Sequence, residues 1–143
     1  MPLLDKALFL AIAAQVFLTF AVLVMMGRER VPRVMSGEIR VKDIAVERTA
    51  YPLKARLLSN NFDNQFQLPV LFYLASALSL WAGGTGWVEV TLAWAFVVLR
   101  YIHTAIHVTT NRVHRRFAAY VLGMLVLALL WLWLTIRLSL LQS

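Results

Sequence analysis

Four apolar stretches occupy most of this chain: Leu3–Met26, Leu57–Ala82, Trp87–Thr110 and Phe117–Leu141. Each has about the 20 residues that a helix needs to cross a bilayer. Inside lipid every main-chain polar group must be satisfied within the segment, so stretches of this kind read as helices. The chain has 143 residues, 61% of them hydrophobic, and the connections leave no room for a soluble domain. The fold class is therefore all-α, a four-helix transmembrane bundle forming one domain over residues 1–143. Asp5 and Lys6 stand at the start of the first stretch and no small-residue cleavage site follows it, so a retained helix is expected rather than a signal peptide.

The net charge of +7 follows from where the basic residues lie. Residues 28–56 hold eight Lys/Arg against four Asp/Glu, and the turn Asn111–Arg116 adds Arg112, Arg115 and Arg116. The turn around Gly83, Gly84 and Gly86 has no Lys or Arg. Positive-inside bias then places the 27–56 and 111–116 connections in the cytoplasm and both termini on the other side. Topology and anionic lipid headgroups account for these charges, so membrane lipids are the expected partner and nucleic acid is not. There are no cysteines, which excludes disulfides, thiolate metal sites and cysteine nucleophiles. Thiol chemistry here would use a thiol brought by a ligand.

Arg30-Val31-Pro32 and Ser36-Gly37 are turn signals in the first connection. The later part of that connection, through Pro52, suits a short interfacial stretch leading into the second helix, where proline at the start is tolerated. Pro69 falls inside the second helix and predicts a kink. Trp81, Trp87, Trp131 and Trp133 read as an aromatic interface belt, with no ligand attached to them.

Within the third stretch, Arg100, His103 and His107 recur at i, i+3 and i+7, one stripe of a helix that continues to Asn111 and Arg112. A charged group near mid-membrane costs roughly 2.5–3.5 kcal/mol even on the lenient insertion scale, so the stripe is a candidate site. The second stretch carries a matching stripe, Arg56, Asn60, Asn64 and Gln67, with Asp63 at its edge. Lipid solvates neither face, so they are expected to turn toward each other or toward a neighbouring subunit. Structural roles stand beside the functional one: interhelical hydrogen bonds for the amides, Asp63 or backbone carbonyls as partners for Arg100, and a neighbouring helix as acceptor for His103. Taken together the stripes suit a small flexible anion with peptide-like donors and acceptors, entering from the cytoplasm, and a lipophilic small molecule arriving through the bilayer. His103 and His107 have a metal-binding spacing, but only His114 and Asp63 remain as further ligands and Arg100 would repel a cation, so no metal is expected. No Ser-His-Asp set, phosphate loop or pair of catalytic carboxylates can be assembled, and Glu89 lies at the opposite end.

The segment RYIHTAIHVTTNRVHRRFAAY resembles the third-to-fourth helix region of the MAPEG family, membrane-associated proteins in eicosanoid and glutathione metabolism that include the microsomal glutathione transferases. The residues that carry the likeness are Arg100, His103, Thr104, His107, Asn111, Arg112 and Tyr120, with Asn64, Gln67 and Pro69 in NQFQLPVLFY. The resemblance implies a homotrimer with glutathione bound between subunits at the cytoplasmic half, and a glutathione transferase or peroxidase acting on lipophilic electrophiles or lipid hydroperoxides. It puts Arg112 first and Arg116 second as the catalytic group that favours the thiolate, which is the nucleophile. Arg56, Asn60, Asn64, Gln67, Arg100, His103, His107 and Tyr120 would bind ligand. Three positions depart from the family pattern: Gln67 stands where a Glu is usual, Asn60 where an Arg is usual, and His107 for a Tyr. The segment looks most like bacterial members, which implies a bacterial plasma (inner) membrane. The alternatives are a MAPEG-fold binding or scaffold protein without glutathione chemistry, and a small transporter or proton relay.

Overall fold

The computed structural model describes residues 1–140. Five α-helices are present among the described residues: α1 (Leu3–Met35), α2 (Leu53–Asn64), α3 (Leu68–Ala82), α4 (Trp87–Val108) and α5 (Val113–Leu140), with a 3-10 turn at Val41–Ile44. They supply four segments long and apolar enough to span a membrane, with α2 and α3 together forming the second, Leu53–Ala82. The expected four-helix architecture is therefore the observed one.

The second span differs from its prediction in a way that matters for the site. Instead of a kinked helix over 57–82, the chain starts at Leu53 behind Pro52 and breaks completely at residues 65–67. Pro69 sits in the first turn of α3. Its ring has no N–H and would clash with the carbonyl four residues back, so a helix can begin there but not run through. The first helix is longer than expected and ends at Met35, with Pro32 inside its last turn. Glu29 holds that extension: its carboxylate lies 3.6 Å from Arg33 one turn on and 2.6 Å from Lys54 of α2. The Ser36-Gly37 turn forms, with Gly37 at φ +78°. At the other basic connection α5 already starts at Val113, so Arg115 and Arg116 belong to its first turn. Asn111 makes the reversal in the left-handed region at φ +47°, where its N–H reaches the Ile106 carbonyl at 2.7 Å.

The core lies in the membrane half nearer the glycine turn. Leu8 and Ala11 of α1, Phe72 and Ala75 of α3, Ala93 and Phe96 of α4, and Leu130 and Leu134 of α5 are buried there. Phe72 and Phe96 stack with ring centroids 4.9 Å apart. The alanines let helices approach closely, which is what packing in lipid rewards. Phe9, Phe17, Phe20, Leu125, Leu129 and Leu132 point outward. Trp81 and Trp87 flank the glycine turn on the surface. That end is fastened by a buried ion pair, Arg137 to Glu89 at 2.8 Å. Arg137 also donates to the Gly84 carbonyl at 2.8 Å, and Glu89 accepts from the Gly86 N–H at 3.1 Å.

Candidate functional site

The break after Asn64 sets the geometry at the opposite, basic end of the bundle. The last turns of α2 present two polar faces instead of one. Asn60, Asp63, Asn64 and Gln67 line a cavity of about 480 Å3, while Asn61 and Gln65 turn inward and are buried. His103 and His107 of α4 form the second wall. Val113, Arg116, Phe117 and Tyr120 of α5 form the third. The cavity volume falls in the range of small-molecule sites.

The two histidines present different atoms. His103 lies 3.2 Å through Nδ1 from the main-chain carbonyl of Arg116. A carbonyl only accepts, so Nδ1 carries the proton and Nε2 is left as an acceptor. That Nε2 is buried without a hydrogen-bond partner among the described residues. His107 Nδ1 lies 3.1 Å from the Asn61 amide nitrogen, which donates to it. Neutral His107 therefore carries its proton on Nε2. The rings sit edge to face, 5.7 Å apart, and Tyr120 lies 5.8 Å from His103.

Of the two arginines expected to meet a thiol, Arg116 lines the cavity and is oriented by Asn111, to whose side-chain oxygen it donates at 2.7 Å. Arg112 is exposed in the connection and is not among the lining residues. Arg56 stands to one side, in a hollow of about 240 Å3 that it shares with Arg48, Thr49 and Asn60. Asn60 belongs to both spaces, so the two adjoin.

Arg100 is 1% exposed and lies behind the cavity wall. Its Nη2 donates to the Asn64 carbonyl at 3.1 Å, one of the acceptors that a helix end leaves free. Asp63 is not its partner. Asp63 pairs with Arg48 instead, at 2.6 and 3.3 Å, and this hydrogen bond holds the Arg48 pKa above the usual arginine value.

A second network escaped the sequence reading. Gln15 of α1 donates to Gln65 at 3.0 Å, and Gln65 donates to Asn61 at 3.0 Å and to Thr104 at 3.3 Å. Thr104 in turn donates to Asn61 at 3.3 Å. The chain of amides ties α1, the α2 break and α4 together and ends on His107. Its signals in the sequence are a lone Gln in an apolar span and an Asn–Gln pair at i, i+4 beside the Asn60–Asn64 stripe. Among the described residues no three His, Asp or Glu side chains converge in a metal-binding group.

The chain matches the MAPEG family over residues 8–136. It belongs to that family. The likeness read from the α4–α5 segment is thus borne out over nearly the whole chain, and the protein is a multi-pass integral membrane protein. No curated protein and no solved structure gives a match. Of the positions that carry the likeness in this MAPEG chain, Asn64, Gln67, His103, His107 and Tyr120 line one cavity, Arg100 supports its wall, and Arg112 lies outside it.

Proposed function

We propose that this protein is a glutathione-dependent transferase or peroxidase of lipophilic electrophiles or lipid hydroperoxides, working as a homotrimer with the basic end in the cytoplasm. The observation that supports this reading best is Arg116 on the wall of a cavity otherwise lined by amides, imidazoles and a tyrosine. A peptide needs donors and acceptors of that kind, and a thiol needs a cation. A free thiol has a pKa near 8.5, and a guanidinium beside it favours the thiolate. In transfer, the sulfur bonds to the electrophilic carbon and the leaving group departs with the bonding electrons. In the peroxidase reaction two thiols become one disulfide while a hydroperoxide becomes an alcohol and water. The apolar outer surface gives lipophilic substrates access from the bilayer.

The neutral Gln67 and Asn60 favour a second reading, a MAPEG-fold binding protein without glutathione chemistry. Calorimetry with glutathione on the detergent-solubilised protein, followed by ultraviolet absorbance of the thiolate, separates the two. Saturable binding with thiolate formation that Arg116→Ala removes supports the enzyme. Absence of binding at millimolar glutathione favours the second reading, as would an affinity that appears only in Gln67→Glu.

A further inference from the structure

Among the described residues, Asp63 is the one carboxylate that lines the cavity. Its side chain is 50% exposed and that of Arg48 41%, so their pairing is a surface contact of the kind that contributes about 0–1 kcal/mol. The fold does not depend on it. Arg48 engages one lone pair on each carboxylate oxygen, Oδ2 at 2.6 Å and Oδ1 at 3.3 Å. An ionised carboxylate has about four such sites, so further acceptor capacity remains for a second cation. Charges alternate across this end of the bundle: Arg56 and Arg48 in the side hollow, then Asp63, then Arg116 on the far wall of the cavity. A simple anion would find that carboxylate repulsive. An ampholyte, with carboxylates and an ammonium in one flexible molecule, matches the sequence of signs.

We propose that Asp63 is the ammonium-binding group of the cavity, with Arg48 holding the carboxylate in place until the ligand's ammonium joins it. The ligand class is thereby narrowed to compounds with a free amino-acid head, an ammonium beside a carboxylate. The inference rests on the glutathione reading above, in which the ligand's free amine meets Asp63. Gln67, beyond the break that ends α2, offers only a neutral amide to the same space.

The test is calorimetry on the full-length protein in detergent with two ligands, glutathione and its des-amino analogue, in which hydrogen replaces the ammonium. The expected result is that the native protein binds glutathione about tenfold or more tightly than the analogue, the scale of one hydrogen bond to a charged group. Asp63→Asn should lose that preference while binding the analogue as well as before, which also reports an intact cavity. Asp63→Asn/Gln67→Glu should regain the preference. If the native protein binds both ligands equally, or Asp63→Asn keeps the full preference, the Asp63 assignment is overturned and the glutathione reading stands. If Asp63→Asn weakens both ligands alike, the carboxylate acts on the cavity's shape and the assignment is again overturned. If the native protein binds neither ligand, the glutathione reading falls and the Asp63 assignment with it.

Discussion

Arg100 donates to the main-chain carbonyl of Asn64 across 3.1 Å, closing the end of α2 where Pro69 prevents the helix from continuing. A guanidinium at a helix C-terminus also meets the negative end of the helix dipole. The residue that stood out most in the sequence thus has a supporting task, and the relationship is testable. Arg100→Met should lower stability in detergent by about 1.5–3 kcal/mol, the scale of a hydrogen bond to a charged group. In a Pro69→Ala background the Leu68 N–H can take the Asn64 carbonyl, so the same substitution should cost clearly less. Thermal unfolding of the two single variants and the double variant measures that coupling. Strict additivity would mean that Arg100 does not cap this break.

At the glycine-turn end, Glu89 is fully buried against Arg137, which is 7% exposed. Removing one member of such a pair strands the other in a low-dielectric interior. Glu89→Ala is expected to destabilise the protein by about 3–5 kcal/mol. Glu89→Leu/Arg137→Leu should recover much of that loss, because a buried pair replaced as a whole by apolar groups is often near neutral. On the proposed glutathione reading, the double variant should bind that ligand as the native protein does, since the pair lies at the far end of the bundle from the cavity. Unfolding curves and calorimetry on the same samples check both parts.

The four spans and the polar end were legible because lipid imposes a strict length and polarity rule on every segment. The place where α2 stops was only half legible. Pro69 signalled a disturbance, but whether a proline kinks or ends a helix depends on which groups take the freed carbonyls, and here Arg100 comes from another helix. The two faces of α2 were not separable either. Asn60, Asn64 and Gln67 form a stripe by spacing, as do Asn61 and Gln65, and nothing local says which stripe meets α1 and α4. The same holds for the arginines: Arg112 and Arg116 differ in position by one helical turn, and the start of α5 at Val113 decides which of them reaches the cavity.

Gln15 gives the buried amide chain its anchor in α1. Gln15→Leu leaves the Gln65 side-chain oxygen without that donor in an interior where water does not reach. An unsatisfied buried polar group costs about 1–3 kcal/mol, and a loss of that size is expected in thermal unfolding. Asn61→Leu should cost more, because Asn61 contacts Gln65, Thr104 and His107 at once. It should also free His107 from its fixed tautomer, which ring-nitrogen NMR shifts of labelled histidine would record. Unchanged His107 shifts in Asn61→Leu would refute the tautomer assignment.

Arg116 and Arg112 make the sharpest functional contrast. Arg116 lines the cavity and is braced by Asn111, whereas Arg112 is exposed beside it. If the proposed glutathione chemistry holds, Arg116→Ala is expected to abolish the glutathione thiolate signal and to reduce transferase activity toward a lipophilic electrophile by roughly 10²-fold or more, the scale of removing a single charge-stabilising donor. Arg116→Lys keeps a positive charge without the planar fork and should retain part of the signal. Arg112→Ala should leave thiolate formation close to native. The measurement is ultraviolet titration of each variant with glutathione, paired with steady-state rates. A native signal in Arg116→Ala together with its loss in Arg112→Ala would reverse the assignment, and would mean that the exposed connection reaches a site completed by a neighbouring subunit.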